Sequence, residues 1–451
     1  MLLIHVGFLA YEGGVARTKN VLATMVKNLL TLAIVGLTFF FFGWWIYNAF
    51  PLVPFQGGIV GPWTSLEAGG QVAEVLPLVQ ASYPWSAAMG PNIADHFTGV
   101  FWFAFSLFAM TTASILSGAV MERIRIGAYA VLAIVLGSVT WVIAAAWGWN
   151  PYGWVFTQLG YHDFGCAAII HGVSGFFALG VLINLGPRIG KFDDRGQPKT
   201  ILPHNLPLTM VGLLLIYVGF YAFLAACIIF LPGQTAETSV YGTPVTLASV
   251  GVNTTLALLA GIVGTYISAK GDPFLTISGG LAGIVSVAAG LDIYSPPIVI
   301  LVAFLGAYTM PFVGSAIERA GIDDAVGAVA LHGYCGLFGT VALGVVAAGY
   351  PQGESIPLTS FFGQFMGASI FVMFLGFLPG YGVSLVLKKI DWLRLSAEEE
   401  LMGLDQLEFG LSVYPEYTLN HQGNQQNSSL PIAGRNLDLS DVTDGLSQSP
   451  S

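Results

Sequence analysis

The chain has 451 residues, of which 55% are hydrophobic and only 9% are charged, against about 25% charged residues in an average soluble domain. This composition excludes an ordinary soluble enzyme, a nucleic-acid-binding protein and a disordered chain. Of the net charge of −10, residues 391–451 carry −8, so the acidity belongs to one end of the chain and not to a cation-attracting pore. The sequence therefore predicts a polytopic membrane protein.

Ten stretches of the chain are apolar over about 20 residues, the length that a membrane-spanning helix needs. They lie at 21–47, 97–119, 126–147, 165–186, 204–231, 244–268, 274–291, 297–316, 325–348 and 359–387. A further apolar stretch at 1–11 is too short to span a membrane alone. We therefore expect ten full helices and one partial helix, with the partial helix first, which makes eleven transmembrane helices.

The lysines and arginines indicate the orientation of these helices. If the chain crosses the membrane eleven times, all 15 lysines and arginines lie on the same side of it. The loops on the other side contain none and lie at 48–95, 148–163, 232–243, 292–296 and 349–358. The positive-inside rule then predicts a multi-pass protein of the cell membrane, with its N-terminus outside and its C-terminus in the cytoplasm.

Two internal matches predict a repeat. Residues 2–10 (LLIHVGFLA) match 214–222 (LLIYVGFYA) at seven of nine positions, and the pattern HGxxGxF begins at both His171 and His332. Each half then holds five helices, an odd number, so the second half is inverted and the substrate path lies between the halves. Chance similarity between apolar helices could explain either match alone, but explains poorly two matches in the same helical order.

The repeat suggests a division of the chain. We expect a membrane domain at 1–390, a cytoplasmic regulatory segment at 391–420 and a disordered tail at 421–451, which is rich in Gln, Asn and Ser. The parts of the membrane domain are repeat one at 1–190, repeat two at 200–350 and helix eleven at 359–387. The match between the repeats also predicts that the first helix lacks roughly two turns at its start, either through a truncated gene model or because this helix is short.

Three cysteines, Cys166, Cys227 and Cys335, lie in apolar stretches without the spacing of a metal site or a disulfide framework. Buried free thiols are the favoured interpretation, with a metal site or a disulfide as the alternatives. We therefore expect neither a metal nor another cofactor.

Two histidines, His171 and His332, lie inside predicted spans at equivalent positions of the two repeats. Burying an unpaired imidazole is unfavourable, so an ionisable residue inside a span is a candidate functional residue. Either histidine alone could bind a nearby carbonyl group. Equivalent positions on two helices across a twofold axis favour a facing pair.

Longer motifs surround these histidines. One is Asp163-Phe164-x6-His171-Gly172, and the other is Asp323-Asp324-x7-His332-Gly333. Further motifs lie at 17–22, 118–123, 203–207, 281–283 and 399–405. Together they resemble the ammonium transporter (Amt/Mep/Rh) family over about residues 1–408. The resemblance implies an all-α fold of eleven transmembrane helices, a 5+5 inverted repeat plus one C-terminal helix, which transports ammonium or ammonia and is not an enzyme.

The resemblance also implies roles for further residues by their positions. Trp149 resembles the outer-vestibule tryptophan that holds ammonium by cation–π attraction, and an interfacial-belt tryptophan is the alternative. Phe108 and Phe223 resemble two stacked rings that gate the pore, and core packing is the alternative. Asp163 resembles a buried carboxylate that orients the vestibule backbone, and a helix N-cap is the alternative.

Cys227 departs from the family pattern, because it stands where the family usually has a vestibule serine. A thiol is a weaker hydrogen-bond partner for ammonium than a hydroxyl group. Other departures lie at 165–168, 224–226, Ala104 and Gly327. These changes affect the expected recruitment site more than the pore.

The physics of a pore predicts the mechanism. Desolvating a cation in a low-dielectric pore is costly, whereas neutral ammonia crosses easily. We therefore expect ammonium to lose its proton outside the gate and ammonia to pass the histidines, with methylammonium as an analogue. The alternatives are an ammonium sensor with little flux and a neutral-gas channel for carbon dioxide, for which a cation site at Trp149 would be of no use.

The resemblance implies partners as well. It implies a homotrimer with one pore in each subunit, and a PII-type signal protein as a partner near 398–408. No nucleic-acid partner is expected.

Overall fold

The computed structural model describes residues 1–52, 59–60, 75–76, 96–230, 238–239, 242, 244–350 and 358–414. Within these ranges, 10 helices are long and apolar enough to cross a membrane, and one further apolar helix is shorter. The prediction of an all-helical polytopic membrane protein is confirmed. The number of eleven crossings stays a prediction, since the first helix has only 14 residues, fewer than a span normally needs. The predicted disordered tail at 421–451 lies outside the described residues.

The helices follow one another along the chain with few other elements between them. They are α1 (Leu2–Val15), α2 (Thr18–Ala49), α3 (His96–Ala119), α4 (Ile126–Gly148), α5 (Trp154–Leu159), α6 (Ala167–Leu185), α7 (Leu206–Phe230), α8 (Leu247–Ser268), α9 (Pro273–Gly290), α10 (Pro296–Arg319), α11 (Val329–Val346), α12 (Phe361–Lys389), α13 (Ala397–Met402) and α14 (Leu404–Phe409). Two strands, β1 (Ile59–Val60) and β2 (Val75–Leu76), pair antiparallel.

Side-chain caps set several helix starts. The Thr246 hydroxyl accepts the backbone N–H of Ser249, and the Ser249 side chain returns a bond to the Thr246 backbone. This reciprocal capping box fixes the first residue of a helix, which explains why α8 begins at Leu247 and not at the predicted 244. Asp272 caps α9 in a similar way, with Pro273 in the first turn, where its missing N–H has no bond to lose.

The helices that carry the internal matches pack against each other in pairs. α1 packs along α7, where a Cβ on Gly7 would lie 2.5 Å from the Gly212 carbonyl oxygen. α6 crosses α11, where a Cβ on Gly175 would meet the backbone of Gly333. Small residues allow such close approach. Contact between matching helices is what a twofold axis between the halves would produce, and the inverted repeat remains our proposal.

The chain after α12 lies against one end of the bundle, the end that carries Arg17, Arg123 and Arg188, which we call the basic face. The backbone N–H of Leu395 donates to the Arg123 carbonyl group. Further on, the carboxylate of Asp405 accepts the N–H groups of Leu22 and Ala23 at 3.0 and 2.8 Å. The α-helical part of α2 begins at Val21, so these N–H groups are among the free donors of its first turn, and α14 caps it from a distance in sequence.

Candidate functional site

His171 and His332 face each other inside the bundle, and both are buried. Their Nδ1 atoms are 3.0 Å apart, and the ring planes differ by 16°. At this distance one Nδ1 donates a proton and the other accepts it. Two neutral rings therefore carry their protons on different atoms, one on Nδ1 and the other on Nε2. The Nε2 of His171 is buried without a hydrogen-bond partner in the described part of the chain.

Each histidine lies in a π-helical turn at the start of its helix, at Ala167–Gly172 in α6 and at Val329–Tyr334 in α11. Such turns are frequent at functional sites, because they displace side chains from the regular helical positions. The two helices also cross closely at Gly175. Local backbone geometry and small residues thus bring the two imidazoles together.

An aspartate caps each of these turns. Asp163 accepts the N–H groups of the first three residues of α6 at 2.6, 2.9 and 3.0 Å. Asp324 accepts the N–H groups of Gly327 and Val329 at 3.0 and 2.6 Å. Sequence reasoning missed the role of Asp324. The signal was present, because Asp163 and Asp324 precede His171 and His332 by the same spacing.

Burial controls the ionisation of Asp163. It raises the pKa of this carboxyl group above its ordinary value, and the three backbone hydrogen bonds offset only part of that effect. The Tyr161 hydroxyl donates to the same carboxylate at 3.0 Å. The two interpretations of Asp163, a helix cap and a carboxylate that orients the vestibule backbone, therefore describe the same set of contacts.

A column of aromatic rings extends from the histidines away from the basic face. The ring centroid of Phe223 lies 6.5 Å from that of His171 and 4.3 Å from that of Phe108. The ring of Phe108 lies 5.7 Å from that of Trp149. Phe220, which sequence reasoning missed, stacks on His171 at 5.8 Å. The structure thus brings the predicted gate, the vestibule tryptophan and the histidines into one continuous column.

Trp149 and Cys227 lie at the end of this column that is away from the basic face. The Trp149 ring is buried, and its Nε1 donates to the Asp163 carbonyl oxygen at 2.5 Å. The Cys227 thiol donates to the Phe223 carbonyl oxygen at 3.5 Å, one turn earlier in the same helix. Asp163 therefore holds the Trp149 ring through its carbonyl group, while the Cys227 thiol is bonded within its own helix.

Two cavities lie between the histidines and the basic face. The first has a volume of about 20 Å³ and is lined by His332, Tyr11, Glu12 and apolar side chains. The second is wider, about 310 Å³, and includes Arg188 in its lining. Val326 lines both cavities. The small cavity thus adjoins His332, and the wider cavity adjoins the basic face at Arg188.

Buried ion pairs hold the basic face together. Arg188 donates to the Asp323 carboxylate through its Nε and Nη2 atoms, both at 2.9 Å. Glu122 accepts Arg17 Nε at 2.7 Å. Burial favours a higher pKa for Asp323, but the hydrogen bonds from Arg188 and the charges of Arg123 and Arg188 outweigh it and lower the pKa from 3.8 to about 2. This network fixes the turn that carries Asp324.

The sequence matches known proteins over nearly its whole length. Residues 1–414 match the model of the Ammonium Transporter Family. The chain is 29% identical over 428 residues to the ammonium transporter Amt2 of Methanocaldococcus jannaschii, which covers 93% of this chain and 90% of that protein. It is 28% identical over 457 residues to Amt2 of Archaeoglobus fulgidus, which covers 96% of this chain and 88% of that one.

The fold also matches solved structures. A protein named Sensor Amt Protein superposes with a TM-score of 0.73 at 25% identity, covering 90% of this chain and 95% of that one. Mep2 of Candida albicans superposes with a TM-score of 0.67 at 22% identity, covering 88% and 84%. The chain therefore belongs to the Ammonium Transporter Family, whose members are multi-pass membrane transporters and not enzymes.

Proposed function

We propose that this protein transports ammonium nitrogen through a pore lined by His171 and His332. The observation that carries the proposal is the 3.0 Å contact between the two Nδ1 atoms, in line with the rings of Phe223, Phe108 and Trp149. A buried imidazole pair with a free ring nitrogen offers hydrogen bonds to a small polar molecule. Two charged imidazoles at this distance would repel each other, so the pair suits a neutral passenger such as ammonia.

Recruitment takes place at Trp149 in this proposal. A cation over a tryptophan ring gains about 2 kcal/mol or more where the site is desolvated, and the Trp149 ring is buried. Ammonium gives up its proton there, and ammonia passes between Phe108 and Phe223 to the histidines. A neutral-gas channel would gain nothing from this ring.

The family resemblance also suggests the oligomeric state and a regulatory partner. We propose a homotrimer with a pore in each subunit, and a cytoplasmic basic face at which a PII-type signal protein has access to the segment 398–408. This segment lies against the membrane domain, because the Lys19 Nζ atom donates to the carbonyl oxygens of Glu400 and Leu401 at 2.7 and 2.6 Å.

Uptake of radiolabelled methylammonium tests the proposal in cells that lack their own ammonium transporters. His171→Ala and His332→Ala are expected to lose most uptake, because each leaves one buried ring without its partner, at about 1–3 kcal/mol. His171→Asp adds a charge and is expected to let other cations pass, which membrane current detects. His204→Ala is the control, since that ring bonds to Ala16 and Tyr414 at the basic face. Wild-type flux and selectivity in all three pore variants would contradict the proposal.

A second candidate function is an ammonium sensor, which the similarity to the Sensor Amt Protein favours. A sensor would bind methylammonium with little uptake and pass the signal to the tail segment. The N–H groups of Leu22 and Ala23 in α2 donate to the Asp405 carboxylate, which ties that segment to the membrane domain.

Binding and uptake measured on the same purified protein distinguish the two functions. For a transporter, Asp405→Ala is expected to lower uptake while the protein stays in the membrane. Glu408→Ala changes an exposed neighbour and is expected to leave uptake unchanged. Saturable binding without uptake in the wild-type protein would favour the sensor.

A further inference from the structure

We propose that Glu12 is a proton-transfer residue of this pore, which exchanges a proton with His332 through one small molecule held between them. The inference rests on the proposed transport function and adds a route for the proton that ammonium leaves behind. The observation behind it is the small cavity that Glu12 and His332 both line.

Glu12 lies in α1 with 1% of its surface exposed. A carboxylate in such a place needs polar partners, and two neighbouring helices supply them. From α2, Asn28 Nδ2 donates to Glu12 Oε2 at 2.8 Å. From α3, the Ser117 hydroxyl donates to Glu12 Oε1. The carboxylate is therefore held in a fixed position.

The charges around Glu12 suit a group that gains and loses a proton. Lys27 interacts with it electrostatically, and the Lys27 Nζ atom is anchored on the Ser117 carbonyl oxygen at 2.6 Å. Tyr11 and Tyr129 also lie within electrostatic reach of the carboxylate, and Asp324 lies within reach of Tyr11. Lys27 balances the ionised form, while the two hydroxyl groups add no charge when Glu12 is protonated.

The cavity between Glu12 and His332 has room for one small molecule. Its volume of about 20 Å³ exceeds the roughly 10–15 Å³ that a single water requires. Tyr11, Glu12 and His332 are its polar lining residues, and the other eight are apolar. A water or ammonia molecule there has Glu12 and His332 among its few polar neighbouring residues. Such a molecule can pass a proton between the two groups by accepting one hydrogen bond and donating another.

The proton moves along the pore in single transfers. Ammonium at the outer site breaks one N–H bond, and a water molecule in the column of rings carries that proton to Nε2 of His171, which has no hydrogen-bond partner among the described residues. His171 then gives its Nδ1 proton to Nδ1 of His332. The Nε2–H bond of His332 breaks as the bridging water takes that proton, and an O–H bond forms on Glu12 as the water releases another, which leaves both rings neutral. Ammonia that has crossed the pore then takes the carboxyl proton, which leaves ammonium and the Glu12 carboxylate. Ammonium departs through the wider cavity, so one positive charge crosses with each nitrogen.

The experiment compares charge with nitrogen in the same preparation. Wild-type protein and Glu12→Gln are purified and reconstituted into liposomes, and methylammonium-driven current is divided by radiolabelled methylammonium uptake. Glutamine keeps the size of the side chain but cannot exchange a proton, so the ratio is expected to fall at least about tenfold, in line with the loss of a proton-transfer group. Glu12→Asp keeps a carboxylate and is expected to retain a higher ratio than Glu12→Gln. Asp194→Asn removes an exposed carboxylate on the loop between α6 and α7 and serves as the control.

An unchanged ratio in Glu12→Gln would overturn the inference. Uptake without current in the wild-type protein would also overturn the inference, because no proton would then follow the nitrogen. The proposed transport function would be unaffected by that result. Absence of wild-type uptake would overturn the proposed function and the inference with it. Should Glu12→Gln not fold, as judged by its elution volume in detergent, Glu12→Met decides, because it also lacks a group that can exchange a proton, and an unchanged ratio there overturns the inference.

Discussion

At the residue scale, the Trp149 ring meets Phe108 on one side while its N–H group bonds to the Asp163 carbonyl oxygen. If the ring holds ammonium, Trp149→Leu should raise the half-saturation concentration for methylammonium about two- to thirtyfold, the range that corresponds to 0.5–2 kcal/mol of cation–π energy. Trp149→Phe keeps an aromatic face without the N–H group. Its half-saturation concentration should therefore lie between that of the wild-type protein and that of Trp149→Leu. Uptake measured over a concentration series gives these values.

Trp147 provides the matched control for that series. Its ring packs on Trp154 at 5.5 Å, and its Nε1 donates to the Phe50 carbonyl oxygen at 3.0 Å, so it resembles an interfacial tryptophan. Trp147→Leu should leave the half-saturation concentration unchanged. Equal kinetics in the Trp149→Leu variant and the wild-type protein would show that Trp149 is a packing residue.

Asp323 gives the molecule a sensitivity to acid. Its pKa of about 2 in the folded protein lies below its ordinary value of 3.8. Ionised Asp323 therefore contributes roughly 2–3 kcal/mol to the free energy of unfolding. This contribution is complete at pH values above the ordinary pKa and is lost as the pH falls towards 2. We expect the melting temperature in detergent to fall between pH 4 and pH 2, values that follow from this shift. Asp323→Asn should melt lower at neutral pH and show a smaller fall, and parallel curves would contradict this account.

At the element scale, the crossing of α6 and α11 decides whether the histidines meet. A Cβ on Gly175 would collide with the N and Cα atoms of Gly333, and backbone atoms cannot rotate away. Gly175→Ala should therefore separate the helices and destabilise the protein by about 1–3 kcal/mol, as overpacking does. Gly382→Ala in α12 is the control, because nothing lies within 4 Å of its Cβ position. Thermal unfolding and methylammonium uptake check both, and wild-type behaviour of Gly175→Ala would contradict the close crossing.

The long helices could be predicted from hydropathy to within a few residues, as the predicted 126–147 and the observed Ile126–Gly148 show. Larger differences arise where polar contacts act. The predicted span at 325–348 begins instead at Val329, because Asp324 caps the turn and Gly327 adopts a positive φ of 75°. The helices α5, α13 and α14 have six residues each, too few for any periodic signal.

Some residues of the candidate site could be predicted from the sequence, and others could not. His171 and His332 were recognisable because one pattern occurs twice. Glu12 and Phe220 carry no such pattern, since a single acid or one phenylalanine among 31 indicates nothing by itself. Their positions beside the histidines depend on how α1 and α7 pack in three dimensions.

At the scale of the whole molecule, the C-terminal part of the described chain contacts the basic face at two places. α14 caps the start of α2, and Arg394 donates to the Leu185 and Pro187 carbonyl oxygens at the end of α6. The basic residues therefore belong to one surface together with the tail segment. If the positive-inside rule holds for this chain, that surface is cytoplasmic.

Labelling of single introduced cysteines tests this orientation. The three native cysteines are buried and free, so they should contribute little background. Arg195 is exposed on a loop between α6 and α7, and Gln158 is exposed in α5, on the opposite side by the prediction. A membrane-impermeant maleimide should label Gln158→Cys in right-side-out vesicles, and should label Arg195→Cys only after the vesicles are opened. The reverse pattern would place the basic face outside and Trp149 in the cytoplasm, and recruitment of external ammonium at that ring would then be impossible.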